Sequence, residues 1–481
     1  MPLARGSAAA KRRSVNALRP ATDRLHAIDA VWLEMEGSGP PIAIGVVAVA
    51  EGPPPGDAEV IQMLAERLPT MSGLRQRLVP DPTRLRRAAR VEAEHVDLAA
   101  HVHRVPARTS PAHGGLDGAV GSIMEQRLPP GQPLWDLWVV EGLDGQPHGR
   151  WAVVWRIHHT ITDGLGAIAL FRRAFDVTPD GELSMSDAVR SATEQPAARR
   201  DDRTPERRRG AVRPSGVDLR HAFGTVTSVA AHLPSVLATL VPQVPTSLTA
   251  AVGDRRTWCS ADVPLSQVEA VRRAYGVTVN DVALAAVAGG FRDLLLNRGE
   301  RVDHRGVRNL VPVSMRPTGE SRAGNLVSGL LGNLPVGVAD PVARLRAVRA
   351  AVTHGKEGHA AALFSLWLDV VDHTVPSFVQ DVAVRAAGRW APSWFFDTLT
   401  TNVPGPAFPV YLLGRRVTRM YPLIPVAGRT PIITGIISYD GRLNIGVTGA
   451  SGPAGDVRVL ARGIRRCVGE LAERGSRELV P

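Results

Sequence analysis

The stretch from Trp151 to Phe175, WAVVWRIHHTITDGLGAIALFRRAF, constrains this chain most. Its opening, Trp151 to Ile157, is rich in β-branched and aromatic residues and predicts a strand. Its close, Leu165 to Phe175, carries apolar residues at Leu165, Ile168, Ala169 and Phe171 and predicts a helix. Between them lies His158-His159-Thr160-Ile161-Thr162-Asp163-Gly164. A polar loop pinned between a strand and a helix holds reactive groups rigidly.

Two adjacent histidines on a continuing strand point to opposite sides, so one faces a core or cleft and the other does not. A neutral imidazole at a cleft mouth takes a proton from a hydroxyl or thiol near neutral pH. Asp163 stands where it would orient a histidine or pair with a distant arginine, and Gly164 suits a turn at positive φ. Against this stands a plainer reading, two loop histidines and a helix-capping aspartate, which the pair alone does not displace.

A length of 481 residues supports two or three domains and a sizeable core. With 44% hydrophobic and 21% charged residues the composition is globular. Cys259 and Cys467 stand far apart and form no metal or redox motif, which favours a reduced, intracellular compartment. No run approaches the roughly 18 to 20 apolar residues that span a bilayer. Lys11-Arg12-Arg13 is not followed by the apolar stretch of a secretory signal. The net charge is +11, yet Lys11 and Lys356 are the only lysines, so arginine carries the surplus. Such an Ala/Arg/Gly/Pro-rich composition also arises from genomic base composition; its functional reading is attraction to anionic headgroups or phosphates. No nucleic-acid-binding motif accompanies it.

The chain divides into four parts. Residues 1–19 are basic and Ala/Ser-rich and predict a disordered tail. Residues 20–177 form an N-terminal domain that carries the histidine pair. It opens with a short amphipathic segment, Arg24 to Glu36, and an apolar strand, Pro41 to Ala50. A helix from Glu59 to Leu68 follows, then an extended edge from His95 to Pro106. His95, His101 and His103 on that edge are expected to be solvated, not metal-binding. Pro133-Leu134-Trp135 then leads into a short strand. Residues 178–214, with Arg199 to Gly210 at their charged centre, predict a mobile linker.

Residues 215–481 form a second domain. A helix from Leu265 to Tyr275 closes at Gly276, and Thr278 and Asp281 have capping-box spacing at the start of an apolar helix reaching Leu296. Arg308 to Pro317 reads as a strand ending in a turn that carries Arg316. Thr401-Asn402 precede the stiff turn Pro404-Gly405-Pro406, Asp440-Gly441 marks a hairpin, and Asp456 to Arg474 is a closing helix. The apolar stretches Val217 to Pro245 and Ala361 to Ala387 read first as core and second as lipid-contacting faces.

HHTITDG fits the pattern HHxxxDG. With it come, in order, PLW at 133–135, Asn280-Asp281 at a helix start, PVSMRP at 312–317, TNVPGP at 401–406 and SYDG at 438–441. From about Arg24 to about Glu473 this order resembles the bacterial wax ester synthase/diacylglycerol acyltransferase family of the CoA-dependent acyltransferase superfamily. One departure is the stretch Thr448 to Gly452, where relatives often carry an aspartate near the position of Ser451.

The resemblance implies an α/β (α+β) fold of two chloramphenicol-acetyltransferase-like sandwich domains with an active-site tunnel between them. It implies His159 as general base with His158 supporting, Asp163 paired with Arg316 and Gly164 fixing the loop. Asn280 would polarise the site and stabilise an oxyanion, and Thr401, Asn402 and Trp135 would line the channel. Acyl-CoA would be the co-substrate and diacylglycerol or a long-chain alcohol the acceptor, with no metal, no resident cofactor and no nucleic-acid partner. The enzyme would be cytoplasmic, docked peripherally at the inner face of the membrane or on lipid inclusions. The alternatives are a carrier-protein-dependent acyltransferase acting on a polyketide-type or sugar alcohol, and an inactive lipid-binding homologue.

Overall fold

Two six-stranded sheets organise the chain. The computed structural model describes residues 24–82, 87–107, 114–145, 149–162, 164–187, 247–249, 252–302, 306–314, 327–357, 396–450 and 456–478. The tail, most of the linker, the apolar stretches 217–245 and 361–387, Asp163 and Arg316 lie outside the described residues.

The first sheet has the order β11-β12-β1-β6-β5-β4. From the N-terminal half come β1 (Ala43–Ala50), β4 (Val102–Pro106), β5 (Trp135–Glu141) and β6 (Trp151–His158). From the far end of the chain come β11 (Tyr411–Leu412) and β12 (Arg415–Leu423), with β12 antiparallel to β1. The second half of the chain thus completes the first sheet. A strand covered on both faces reads as a continuous apolar run, and β6 is buried at every position. Its one charged residue, Arg156, lies directly opposite Asp136 of β5 and donates to that carboxylate through Nε at 2.9 Å and through Nη2. A charge is tolerated there because its donors are matched.

Helices α1 (Ala27–Ser38), α2 (Asp57–Arg67), α3 (Gly115–Met124) and α4 (Gly164–Phe171) accompany this sheet, with a separate ribbon of β2 (Gln76–Val79) and β3 (Ala89–Glu92). Helix α4 stops four residues short of the Phe175 end expected from its periodicity. The edge at β4 departs from expectation more instructively. His95 is exposed, but His101 is 2% exposed, stacks on Trp135 at 4.2 Å and holds the Trp135 carbonyl with Nδ1 at 2.8 Å. His103 lies against Trp138 at 4.4 Å. Being at the edge frees a strand's backbone, while its side chains still pack on the sheet's covered face.

The second sheet has the order β7-β14-β13-β10-β8-β9. It comprises β7 (Arg256–Pro264), β8 (Val307–Ser314), β9 (Val327–Leu334), β10 (Thr398–Val403), β13 (Ile432–Tyr439) and β14 (Arg442–Ala450). Asp440 and Gly441, both at positive φ, close the β13–β14 hairpin. Helices α5 (Leu265–Tyr275), α6 (Val279–Asn297), α7 (Pro341–Glu357) and α8 (Asp456–Glu478) cover it. Helix α6 is the centre of this core, and Gly463 of α8 lets it approach: a Cβ there would sit 2.8 Å from Gly290 Cα.

The crossing strand is fastened by two of the motifs. Tyr439 Oη donates to the Val417 carbonyl at 2.7 Å and accepts from the Val410 amide at 3.0 Å, and burial pushes its phenol up to about 12. The Gly405 amide donates to Ser438 Oγ at 3.2 Å, which ties TNVPGP to SYDG.

Candidate active site

One face of α1 backs the histidine pair. Asp29, Trp32 and Glu36 recur at spacings of three and four, so they project from one side of the helix. Glu36 Oε2 accepts from His158 Nε2 at 2.9 Å, and Glu36 Oε1 accepts from the Ile42 amide at 3.0 Å. The Trp32 indole stacks on the His159 ring, centroids 4.3 Å apart and planes 19° from parallel. Asp29, fully buried, receives Arg90 Nη2 at 2.6 Å, and the same nitrogen donates to the Thr160 carbonyl at 2.8 Å.

These contacts divide the labour of the pair. His158 is 0% exposed, and its Nδ1 accepts from the Thr160 amide at 3.1 Å with Thr160 Oγ1 at 2.8 Å. Nδ1 is therefore the bare nitrogen, and Nε2 carries the proton given to Glu36. Burial raises the Glu36 carboxyl, but the His158 hydrogen bond, the Ile42 amide and the Arg127 charge outweigh it and hold the group below the usual carboxylate range. Both nitrogens of His158 are engaged, and its amide is anchored on the Leu134 carbonyl at 2.9 Å. His159, its amide on the Ile42 carbonyl at 3.1 Å, meets Trp32 of the same helix face and keeps partial exposure. The strand β6 ends at His158, so His159 opens the turn that follows, and the two rings are set apart by that change of backbone and by their different partners on α1.

The second sheet supplies neutral groups. Thr278 caps α6 in a reciprocal box with Asp281: Asp281 Oδ2 accepts from the Thr278 amide at 2.9 Å and Thr278 Oγ1 from the Asp281 amide at 3.2 Å. Asp281 is thus a capping residue, while Asn280 beside it turns to β10, where Asn402 Nδ2 donates to Asn280 Oδ1 at 3.2 Å. Two residues back on the strand, Thr400 Oγ1 donates to Asn309 Oδ1 at 2.9 Å. Asn280 and Asn309 also line a small cleft with Leu284, Val311 and Asn333.

Three expectations change. Thr401 falls between Thr400 and Asn402 on a strand, so its side chain lies on the opposite face, and it cannot line the same surface as Asn402. Trp135 lines no open channel; it is 0% exposed and donates through Nε1 to the Leu74 carbonyl at 2.8 Å. PLW reaches the site through its backbone instead, by the Leu134 carbonyl under His158. Gly164 begins α4, is exposed and is not at positive φ. Trp32, Glu36 and Arg90 are site residues that sequence reasoning missed. The helical spacing of Asp29, Trp32 and Glu36 was the available signal; Arg90, one of several arginines in its segment, carried none. Among the described residues no group of three or more His, Cys, Asp or Glu side chains is placed to hold a metal.

Residues 25–283 match the family model of the wax ester synthase/diacylglycerol acyltransferase catalytic domain, and residues 323–471 match that family's C-terminal domain. The chain belongs to the wax ester synthase/diacylglycerol acyltransferase family. It is an acyltransferase of that family. A probable diacylglycerol O-acyltransferase of Mycobacterium tuberculosis, tgs1, is 33% identical over 447 residues, covering 91% of this chain and 93% of that one. A second from the same organism, the putative diacylglycerol O-acyltransferase Rv3371, is 28% identical over 93% of this chain and 90% of that one. Among solved structures, the wax ester synthase/diacylglycerol acyltransferase of Marinobacter aquaeolei VT8 superposes with a TM-score of 0.63 at 21% identity, over 94% of this chain and 100% of that one. The first condensation domain of the CDA synthetase gives 0.55 at 16% identity, over 94% and 97%. Both likenesses concern the fold, and they place the acyltransferase on the two-sheet architecture expected of it.

Proposed function

We propose that this acyltransferase moves a long-chain acyl group from acyl-CoA to diacylglycerol, a long-chain alcohol or both, with His159 as general base. The observation that carries the reading is the division within the histidine pair. His158 is buried with both nitrogens engaged, and only His159 keeps a partly exposed ring for a proton that must come and go. His159 takes the acceptor's hydroxyl proton as that oxygen bonds to the thioester carbonyl carbon. The carbonyl electrons move to oxygen, and the oxyanion needs positioned donors. Asn402 Nδ2 donates to Asn280 Oδ1, which leaves the Asn280 amide nitrogen to donate to the oxyanion. The C–S bond then breaks, the electron pair leaves on sulfur, and the His159 imidazolium returns the proton to the thiolate.

Lipid acceptors reside in a membrane or droplet, so the reading includes peripheral docking there. Among the described residues no single helix is long and apolar enough to cross a bilayer. The arginine-carried charge of +11 supports attraction to anionic headgroups.

The test is a panel on purified protein: palmitoyl-CoA offered with dioleoylglycerol or hexadecanol, with lipid products separated and counted. His159→Ala is expected to lower turnover about 10²- to 10⁴-fold. Turnover only with an acyl carrier protein as donor would replace the donor half of the reading. An active His159→Ala enzyme would remove the base.

A further inference from the structure

We infer that Trp32 is a positioning residue for His159, fixing its ring plane and stabilising the imidazolium formed when it takes the acceptor's proton. The inference rests on the reading of His159 as base. Its ground is geometric: an indole face lies nearly parallel to the imidazole, with centroids 4.3 Å apart and planes at 19°. A cation over the face of a tryptophan is attracted by the ring's quadrupole, and the attraction grows when both groups are partly withdrawn from water, as these are. A neutral imidazole gains far less from the same face, so the stack favours the protonated ring that proton abstraction forms and that acid also forms in the free enzyme.

The anchoring of α1 makes the stack a fixed one. Three residues before Trp32, Asp29 is locked to Arg90 and, through it, to the Thr160 carbonyl; four residues after, Glu36 is locked to His158. Both ends of this helical face therefore grip residues flanking His159 in sequence. The indole Nε1–H is buried and has no acceptor among the described residues, so no hydrogen bond of its own sets the ring's place. Among the described residues, charged and titratable groups that reach the motif from neighbouring elements include Asp29 and Glu36 of α1, Arg90 of β3, and Arg127 after α3, which donates to the Glu36 carbonyl.

The test compares Trp32→Phe, Trp32→Leu and His159→Ala in the full chain, reading kcat, KM and the acid limb of kcat/KM against pH. Trp32→Leu keeps the site apolar but removes the π face. It is expected to lower kcat about 3- to 30-fold with KM for both substrates little changed, and to move the acid limb down by about 0.5 to 1 pH unit. Trp32→Phe, which keeps a weaker face, is expected to shift both in the same direction by less, and it carries the test alone if the leucine variant does not fold. Wild-type kcat and an unmoved acid limb in a folded Trp32 variant, beside an inactive His159→Ala, would overturn the inference and leave the base intact. A raised KM with kcat and acid limb unchanged would also overturn it, since Trp32 would then be touching substrate. A fully active His159→Ala enzyme would remove the underlying reading instead.

Discussion

The polar side chains around the histidine pair and those around Asn280 are partnered in different ways. Around the histidine pair each charge has its partner: Asp29 and Arg90 form a buried ion pair, Glu36 accepts from the His158 ring, and Arg156 pairs with Asp136 under the strand. On the second sheet the side chains that meet around Asn280 are neutral, Asn402 with Asn280 and Thr400 with Asn309, although the buried pair Arg308–Asp397 lies one residue along β8. Buried ion pairs cost several kcal/mol to desolvate and hold only while complete, because removing one partner strands the other. A neutral hydrogen bond contributes about 1 kcal/mol net, and its loss is local. The histidine side should therefore fail as a unit, whereas the amide side should change by degrees.

The largest expected effect tests that unit. Arg90→Ala takes the guanidinium from a fully buried Asp29 and from the Thr160 carbonyl together. We expect a loss of about 3 to 5 kcal/mol in denaturant unfolding, with activity lost alongside. Adding Asp29→Asn should recover part of the stability, since the stranded charge is gone. A loss below about 1 kcal/mol for the single variant would show that the pair is not a closed unit and would erase the contrast.

Next comes the amide side. Asn280→Ala should lower kcat by about 10²-fold if its amide serves the oxyanion, while stability falls by no more than about 1.5 kcal/mol. Asn402→Ala should cost less in rate, because it acts through Asn280. Equal losses in both variants, or a stability loss as large as that of Arg90→Ala, would mean that the two sides are built alike.

Much of this was legible in the sequence. The apolar run of Trp151 to Ile157 announced the strand β6, while the parity argument for the histidine pair assumed a strand through both, and β6 ends at His158. The same parity, applied to TNVPGP, would have divided Thr401 from Asn402; motif resemblance grouped them, and the structure places them on opposite faces. What could not be read was which residues meet. Asp29 and Arg90 lie 61 residues apart and Glu36 and His158 lie 122 apart, and nothing local to a sequence fixes such a pairing. Trp135 misled for a related reason: a tryptophan beside a functional motif looks like lining, yet its indole is spent on the Leu74 carbonyl and its peptide carbonyl on His101. Gly164 shows the reverse case, a residue fixed in the motif whose backbone conformation gives no reason for glycine.

Glu36 offers a smaller effect with a sign. Its carboxyl is raised by burial but lowered further by His158, the Ile42 amide and Arg127, so its folded value lies below the usual range. A group depressed on folding contributes stability that is present above its unfolded pKa and is lost as pH falls through the folded one. Glu36→Gln should therefore cost about 1 to 2 kcal/mol near neutrality, a gap that holds down to about pH 5 and closes at lower pH. A gap that widened in acid would reverse the assigned direction.

The smallest effect sharpens the contrast from the neutral side. Thr400→Val keeps the shape of the side chain but withdraws the hydroxyl from Asn309 Oδ1, which is buried. The cost should be about 1 kcal/mol, with turnover within about twofold of wild type. Replacing both partners, Thr400→Val with Asn309→Leu, removes donor and acceptor together, and such exchanges are close to neutral when shape is kept. The double variant should therefore stand nearer to wild type than Thr400→Val alone. The corresponding double change at Asp29 and Arg90 behaves differently, because the Thr160 carbonyl loses its donor whichever way the charges are removed. Comparing the two cycles by denaturant unfolding measures how much of the histidine loop's position depends on a charge that no neutral substitute can supply.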